Sequence, residues 1–573
     1  MAGMMVGRLR AWSGVLGSQR DLLPLAIIAL MALALMYPVL PEFGRLVIGW
    51  PGDNLLYAYA TGWMARAPLE GASPFIDPGL NYPDGLRVVG NDMPYLGMLA
   101  VAPVTLMFGT IAGYNTLILI AHLLSGVFAY LWVRRLTGST LGGLVAGLAF
   151  MLAPYRAARS YGHLNLVSTY PLPLFFWALD SALRRQRAHP GALAALAGAT
   201  FLVGTASQYY LVICLITGGA YGLLALFLEP AARGTGGKVP LVLSVAAGAL
   251  ASALPYFEVL QSGDFTPYGL TESRRWSASP MNFLTPWHLH PLWGDLIGRL
   301  RPEVLWGEKT LYLGAVSCAL AGVALLWRPS RYARQCYIWG GTALVAVVFA
   351  LGTDLHTGNT PLQPENPVWL PAYYLGQLPL MGLVRAWARF GVVSILFVSL
   401  LGGVGAALLE SRLGRRPWAV VAPLLVALLL IDLLPGRMER FALEPRPVDV
   451  WLARQPGDFA VGHIPHTDDL LNYRVLFGSL SHGKRAPAFA HIGHLPAAFR
   501  DFNERARGFP DEESARRLRE LGLRYLILER TAFDGRRAFS WPVVETRLVQ
   551  TPSLYVVADL GETVVVGFRE GEP

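Results

Sequence analysis

Charge is scarce in this sequence. Asp, Glu, Lys and Arg make up 15% of its 573 residues, against roughly a quarter in soluble proteins. A chain so poor in charge cannot present a water-facing surface along its whole length, which excludes a wholly soluble protein. Cysteine is nearly absent, with three residues in all. Cys214 and Cys318 fall inside apolar runs and Cys336 at the edge of one, which is neither a disulfide framework nor a zinc spacing. No Walker-A loop, dinucleotide glycine fingerprint or Gly-x-Ser-x-Gly elbow stands out, so the usual signatures of P-loop, Rossmann and α/β-hydrolase chemistry are missing. There is no internal repeat at a fixed short period and no low-complexity segment.

Long apolar runs are plentiful. Hydrophobic residues reach 54% and the mean hydropathy is +0.42. Eleven runs are expected to span a bilayer, at about 22–40, 114–133, 141–153, 166–183, 191–206, 209–228, 240–257, 310–327, 337–352, 390–409 and 418–434. The fold class is therefore a polytopic α-helical membrane protein. The net charge of +9 sits largely in short Arg-rich connections: 134–135, 184–187, 233–238, 328–334 and 412–416. These alternate with long connections, which predicts a cytoplasmic N-terminus and outer loops 41–112, 154–165, 258–309 and 353–384. Residues 95–112, broken by Pro103 and Gly109, read as an interfacial helix; counting them as a span would put the basic clusters outside. Ala32-Leu33-Ala34 resembles a signal-peptidase site, but the apolar run continues past it, so the first helix is expected to stay uncleaved.

The composition changes after Pro435. Residues 436–573 are charged, with β-like runs at Phe459–Ile464, Tyr525–Leu528 and Leu554–Val557 and a helical pattern over Glu512–Leu521. The expected organisation is a membrane domain, 1–435, and a small extracytoplasmic α/β domain, 436–573.

The outer loops carry the chemistry-bearing residues. Asp53 directly follows the first span and opens a segment with Leu55, Leu56, Tyr59 and Met64 at helical spacing. An acid there can act as a general base, hold a metal, or cap a helix lying on the bilayer. Other outer loops supply Arg156, Arg159, His163, Arg274, Arg275, Glu308, Arg385 and Arg389 among aromatic residues. Arg with aromatics at a bilayer face suits a lipid-linked phosphate, through forked hydrogen bonds and stacking; the plainer reading is an interfacial belt. A transporter would place its polar breaks at mid-membrane, whereas here they gather on one face. His288 and His290 would share a face on a strand and could bind a metal, with no third ligand evident. His463, His466, His482, His491 and His494 are scattered through the tail.

Several stretches resemble the GT-C membrane glycosyltransferases, the class of protein O-mannosyltransferases and the lipid A aminoarabinose transferase. They are Gly52-Asp53 opening the first outer loop, the Arg134-Arg135 turn, Pro154 ending the third span, Asn81-Tyr-Pro-Asp-Gly85, Glu308-Lys-Thr-Leu-Tyr312 and Val384-Arg-Ala-Trp-Ala-Arg-Phe390. The resemblance implies transfer of a sugar from a polyprenyl-phosphate donor to an extracytoplasmic acceptor. It implies Asp53 as base or metal-linked acid, with a divalent metal as an open option and no nucleic acid involved. The family often carries a second acid in this loop; Asp77, Asp84 and Asp92 compete for that place. A lipid-linked sugar flippase and a non-catalytic envelope-assembly protein are the alternative functions.

Overall fold

The computed structural model describes residues 19–569 apart from 186–187, 234–237, 262–267, 301–306, 328–330, 379–380, 414, 437, 466–468, 492, 494 and 534–539. Arg8, Arg10, Arg187, Arg328, His466 and His494 thus lie outside the described residues. The chain divides into two compact units. The first holds Met1–Pro41, Leu117–Leu254 and Pro267–Glu439; the second holds Glu42–Thr116, Pro255–Thr266 and Arg440–Pro573. The long first loop therefore groups with the tail, across more than 300 intervening residues.

In chain order the principal helices are α1 (Gln19–Leu35), α2 (Asp53–Arg66), α3 (Thr110–Thr137), α4 (Thr140–Leu152), α5 (Pro171–Leu183), α6 (Pro190–Ala206), α7 (Gln208–Leu228), α8 (Lys238–Ala253), α9 (Ala315–Leu326), α10 (Ala333–Ala350), α11 (Gly391–Arg412), α12 (Arg415–Asp432) and α13 (Asp469–His482). Each of the eleven apolar runs contains a helix, although several runs extend beyond it. Among the described residues six helices are long and apolar enough to cross a membrane, and α5, α6, α9 and most of α12 are shorter apolar helices. The 95–112 stretch forms two short helices, Tyr95–Ala100 and Ala102–Phe108, ended by Gly109 at φ +92°.

Local chemistry sets the helix ends. α3 closes on Arg134 and Arg135, and Gly138 at φ +77° returns its amide to the Arg134 carbonyl. Ser139 then caps α4, its hydroxyl accepting from the Gly142 amide at 2.8 Å. In the first unit the helices approach closely where glycines face each other. A Cβ on Gly142 would lie 2.6 Å from the Gly403 carbonyl oxygen, and one on Gly403 would lie 2.4 Å from that of Gly142, so α4 and α11 meet backbone to backbone. Aromatic rings fill the centre: Trp132 packs edge-on against Trp339 at 5.1 Å, and Phe176 against Phe397 at 4.8 Å.

In the second unit four strands form one sheet: β1 (Ala460–Ile464), β2 (Leu523–Glu529), β3 (Leu554–Asp559) and β4 (Thr563–Phe568). The order is β1-β2-β4-β3, with β1 and β2 parallel and the other pairs antiparallel. β1, β2 and β4 are buried along most of their length, whereas edge strand β3 exposes Tyr555 and Val556. The first loop is tied to this unit by a Leu46–Ile48 strand paired with Arg440–Ala442, and by Arg66 of α2 donating to the Leu480 carbonyl of α13 at 3.0 Å.

Candidate functional site

Glu308 is the hub of the polar cluster in the first unit. It lies in the short turn Gly307–Lys309. Arg389, in the turn leading into α11, donates to it twice, through Nη2 at 2.8 Å and Nε at 3.2 Å. Arg159, at the end of the turn that follows α4, reaches the same carboxylate at 2.8 Å and the Glu308 carbonyl at 3.0 Å. His163 stands 3.5 Å away. Both guanidinium groups are buried and each stacks on a tyrosine, Arg389 on Tyr209 at 4.3 Å and Arg159 on Tyr155 at 4.9 Å.

These charges set the protonation of the cluster. Burial alone would raise the Glu308 carboxyl, but Arg159, Arg389 and the Arg389 hydrogen bonds outweigh it and hold it well below the usual carboxylate range. The His163 ring is 31% exposed, yet burial first, reinforced by Arg159, Arg389 and Arg385 against the pull of Glu308, pushes it down to about 3. Burial likewise pushes the Lys309 ammonium down to about 8; its Nζ donates to Asn359 at 2.8 Å. Glu308 is thus a fixed anion and a poor base, and it keeps two guanidinium groups in place. Arg385 lies over the rings of Tyr268 at 5.2 Å and Trp276 at 5.9 Å, and has no carboxylate partner among the described residues. A guanidinium held between rings without a counter-charge can take a phosphate oxygen.

The other arginines go elsewhere. Arg156 turns inward, donating to the Met151 and Ala121 carbonyls, to Ser125 and to His122 Nδ1, so its capacity goes to holding its own turn against α3. Arg274 pairs with buried Asp354 at 3.1 Å and stacks on Trp369. Arg275 is exposed, over Trp276 and 3.9 Å from Glu272. His288 and His290 do not share a strand face, because residues 288–289 form a turn. Both His290 nitrogens hold backbone: Nε2 faces the Ile431 carbonyl at 2.9 Å and Nδ1 accepts from Leu292 at 3.2 Å. Among the described residues no three His, Cys, Asp or Glu side chains are grouped to hold a metal ion.

In the second unit Asp53 is the first residue of α2, and Gly52, not Asp53, stands at its N-cap. The fastening is done by Asn54, which sequence reasoning missed. Its side chain accepts from the Gly52 amide at 3.0 Å and donates to the Trp50 carbonyl at 3.0 Å and the Ile48 carbonyl at 3.4 Å. Asp53 is half-buried. One helical turn on, the Tyr57 hydroxyl donates to the Asp92 backbone carbonyl at 3.1 Å. The other two acids do different work. Asp77 is buried and accepts from Tyr59 at 2.8 Å and from the Gly79 amide at 2.9 Å; burial pushes its carboxyl up. Asp84 is exposed on the turn between Asn81 and Gly85.

The fold has counterparts among solved structures. The mycobacterial arabinofuranosyltransferase AftD superposes with a TM-score of 0.56 at 13% identity over 96% of this chain, which spans only 40% of that protein. ArnT from Cupriavidus metallidurans gives 0.48 at 13% identity, covering 94% of this chain and 97% of that one. The oligosaccharyltransferase AglB from Archaeoglobus fulgidus, solved with an inhibitory peptide and a dolichol-phosphate, gives 0.48 at 12%, covering 96% and 74%. The match to AftD shows a shared fold. No curated protein matches the chain in sequence. The family model described as "Domain of unknown function (DUF6311)" matches residues 25–434, most of the chain, and the protein belongs to that family.

Proposed function

We propose that this protein is an integral-membrane glycosyltransferase that moves a sugar from a polyprenyl-phosphate-linked donor to an extracytoplasmic acceptor. The observation that carries this reading is the Arg159–Glu308–Arg389 cluster with Arg385 beside it, gathered from three outer-loop segments far apart in sequence. In this reading Arg385 and the outer edge of Arg389 meet the phosphate, whose negative charge grows as the sugar leaves. Glu308 holds those arginines in place, and neutral His163 leaves the cluster net positive. Asp53 takes the proton of the acceptor hydroxyl as the new glycosidic bond forms, and Asp92 is the second acid of the first loop. The shared fold with an arabinofuranosyltransferase supports the reaction class. The N-terminus is placed in the cytoplasm of a bacterial cell and the sheet-bearing tail outside it, following the basic clusters.

The test follows release of radiolabelled sugar from polyprenyl-phosphate donors in membranes that contain the wild-type chain. Asp53→Asn and Arg385→Gln should insert normally, and each should lower transfer at least about 100-fold. Unchanged transfer in stably expressed Asp53→Asn would remove Asp53 from the reaction. Movement of intact lipid-linked sugar across the membrane without its hydrolysis or transfer would establish the flippase instead.

A further inference from the structure

A second basic cavity lies in the first unit where α3, α5 and α7 end and α10 begins. It encloses about 800 Å³ and is lined by Arg135, Arg184, Arg185, Arg331 and Arg334 over the rings of Trp132, Trp177 and Tyr332. Three helix C-termini meet here, and arginines in or just past a helix's last turn are the ordinary complement of such ends. The balance of charge goes beyond that. The two acids of the cavity, Asp180 and Glu229, are already taken. Arg184 grips Asp180 at 2.9 Å and Glu229 at 3.0 Å, and Arg334 stands 3.8 Å from Glu229. Gln335 and Tyr221 tie the same network together. Arg135, Arg185 and Arg331 then have no carboxylate partner among the described residues. Arg331 spends one nitrogen on the Thr137 carbonyl at 3.4 Å and lies over Tyr332 at 4.8 Å. α10 begins at the cavity with Tyr332 at its N-cap and no side-chain cap, and its first-turn residues Ala333, Arg334 and Gln335 line the same space.

We propose that this cavity binds a phosphate ester, with the headgroup of an anionic phospholipid as its natural source. Three guanidinium groups without a carboxylate partner among the described residues, and a helix start with no side-chain cap, supply donors for phosphate oxygens. Trp132 and Trp177 provide an apolar floor at the ends of apolar helices, where a glycerol backbone would lie. Basic pockets between spanning helices on the positively charged face take such headgroups. Arg184 has a different duty: with Arg334 it balances Asp180 and Glu229 so that the cavity does not repel an anion. Nothing in this site depends on sugar transfer, since its residues are separate from the Glu308 cluster.

The test uses the full-length protein in a non-ionic detergent and measures binding by calorimetry. The probes are dihexanoyl-phosphatidylglycerol, dihexanoyl-phosphatidylcholine and inorganic phosphate. The phosphatidylglycerol should bind, and Arg185→Gln with Arg331→Gln should weaken it at least about tenfold, the scale of losing one charged hydrogen bond. Arg331→Lys should recover part of the loss, and Arg516→Gln in the tail should change nothing. Melting temperatures near wild type would show that these variants fold. Competition by inorganic phosphate at similar affinity would assign the site to phosphate itself; its failure to compete would assign it to the lipid ester. Equal binding of phosphatidylcholine, unchanged affinity in the double variant, or no binding of any probe would overturn the proposal.

Discussion

Arg389 grips Glu308 with two nitrogens, at 2.8 and 3.2 Å, while 7% of the arginine side chain and 11% of the glutamate side chain remain exposed. A buried pair of this kind costs much to break from one side, because the remaining charge is left without a partner. Here the loss of one carboxylate strands two guanidinium groups. Glu308→Gln should therefore destabilise the protein by about 3–5 kcal/mol, read as a lower melting temperature in detergent. Glu308→Asp should recover part of it. Equal stability of Glu308→Gln and wild type would show that the arginines find other anions.

Asp53 and Asn54 are neighbours with opposite duties. Asn54 makes three hydrogen bonds to loop backbone and is fully buried. Asn54→Ala should cost about 1–3 kcal/mol, the penalty of leaving buried groups unpaired. Asp53→Asn removes a charge and leaves that fastening whole. Its melting temperature should stay within about 0.5 kcal/mol-equivalent of wild type while sugar transfer collapses. A large drop in stability for Asp53→Asn would mean that its charge holds the helix start.

Three acids of the first loop separate by environment. Asp84→Asn should leave transfer and stability unchanged, since Asp84 is exposed on a turn. Asp77→Ala should lower the melting temperature, because Tyr59 and the Gly79 amide lose their acceptor. Asp92→Asn should lower transfer with little effect on folding. Transfer that falls for Asp84→Asn and not for Asp92→Asn would reverse this assignment.

The tail should weaken in mild acid. His463 is buried in β1, and neither ring nitrogen has a hydrogen-bond partner among the described residues. It faces Glu529 at 3.6 Å, with Arg446, Asp449 and His482 around it. Burial, then Arg446, pushes His463 well below its ordinary range, and burial pushes His482 down to about 4. An unfolded histidine takes a proton near pH 6.5. Below that pH the unfolded chain binds protons that the folded one refuses, so stability falls as pH drops from about 6.5 toward 4. Melting temperatures of the full-length protein at pH 7 and pH 5 should show the fall, and His463→Leu should shrink it. An undiminished fall in His463→Leu would place the titrating group elsewhere.

The helices were legible because apolar runs bounded by arginine, Gly and Pro leave little choice of structure. Each of the eleven runs contains a helix, and the β-like runs of the tail match strands, with Phe459 falling just before its strand. The fourth strand, Thr563–Phe568, lay too close to the end of the β3 run to be separated from it by pattern. The cluster was half legible. Residue type and loop side pointed to Arg159, His163, Glu308 and Arg389, but the same signals pointed to Arg156, three positions away. Which arginine turns inward is decided by α3, where His122 and Ser125 are polar residues inside an apolar run, and that was the available clue. The turn that exposes Asp84 was legible on local grounds, since Asn-Tyr-Pro-Asp-Gly is a turn sequence. The Asn54 fastening depends on loop carbonyls whose positions no periodicity reports.

The glycine contact between α4 and α11 has a bearing on distant chemistry. The two helices touch backbone to backbone at Gly142 and Gly403, toward the end where Ser139 meets Glu410. At the opposite end the same two segments carry Arg159 and Arg389 to Glu308. The pair works like a caliper: the pivot is set by two absent methyl groups, and the jaws are two guanidinium groups. A single added carbon at the pivot would push the two helices apart without touching any residue of the cluster, so the spacing of Arg159 and Arg389 is set far from Glu308.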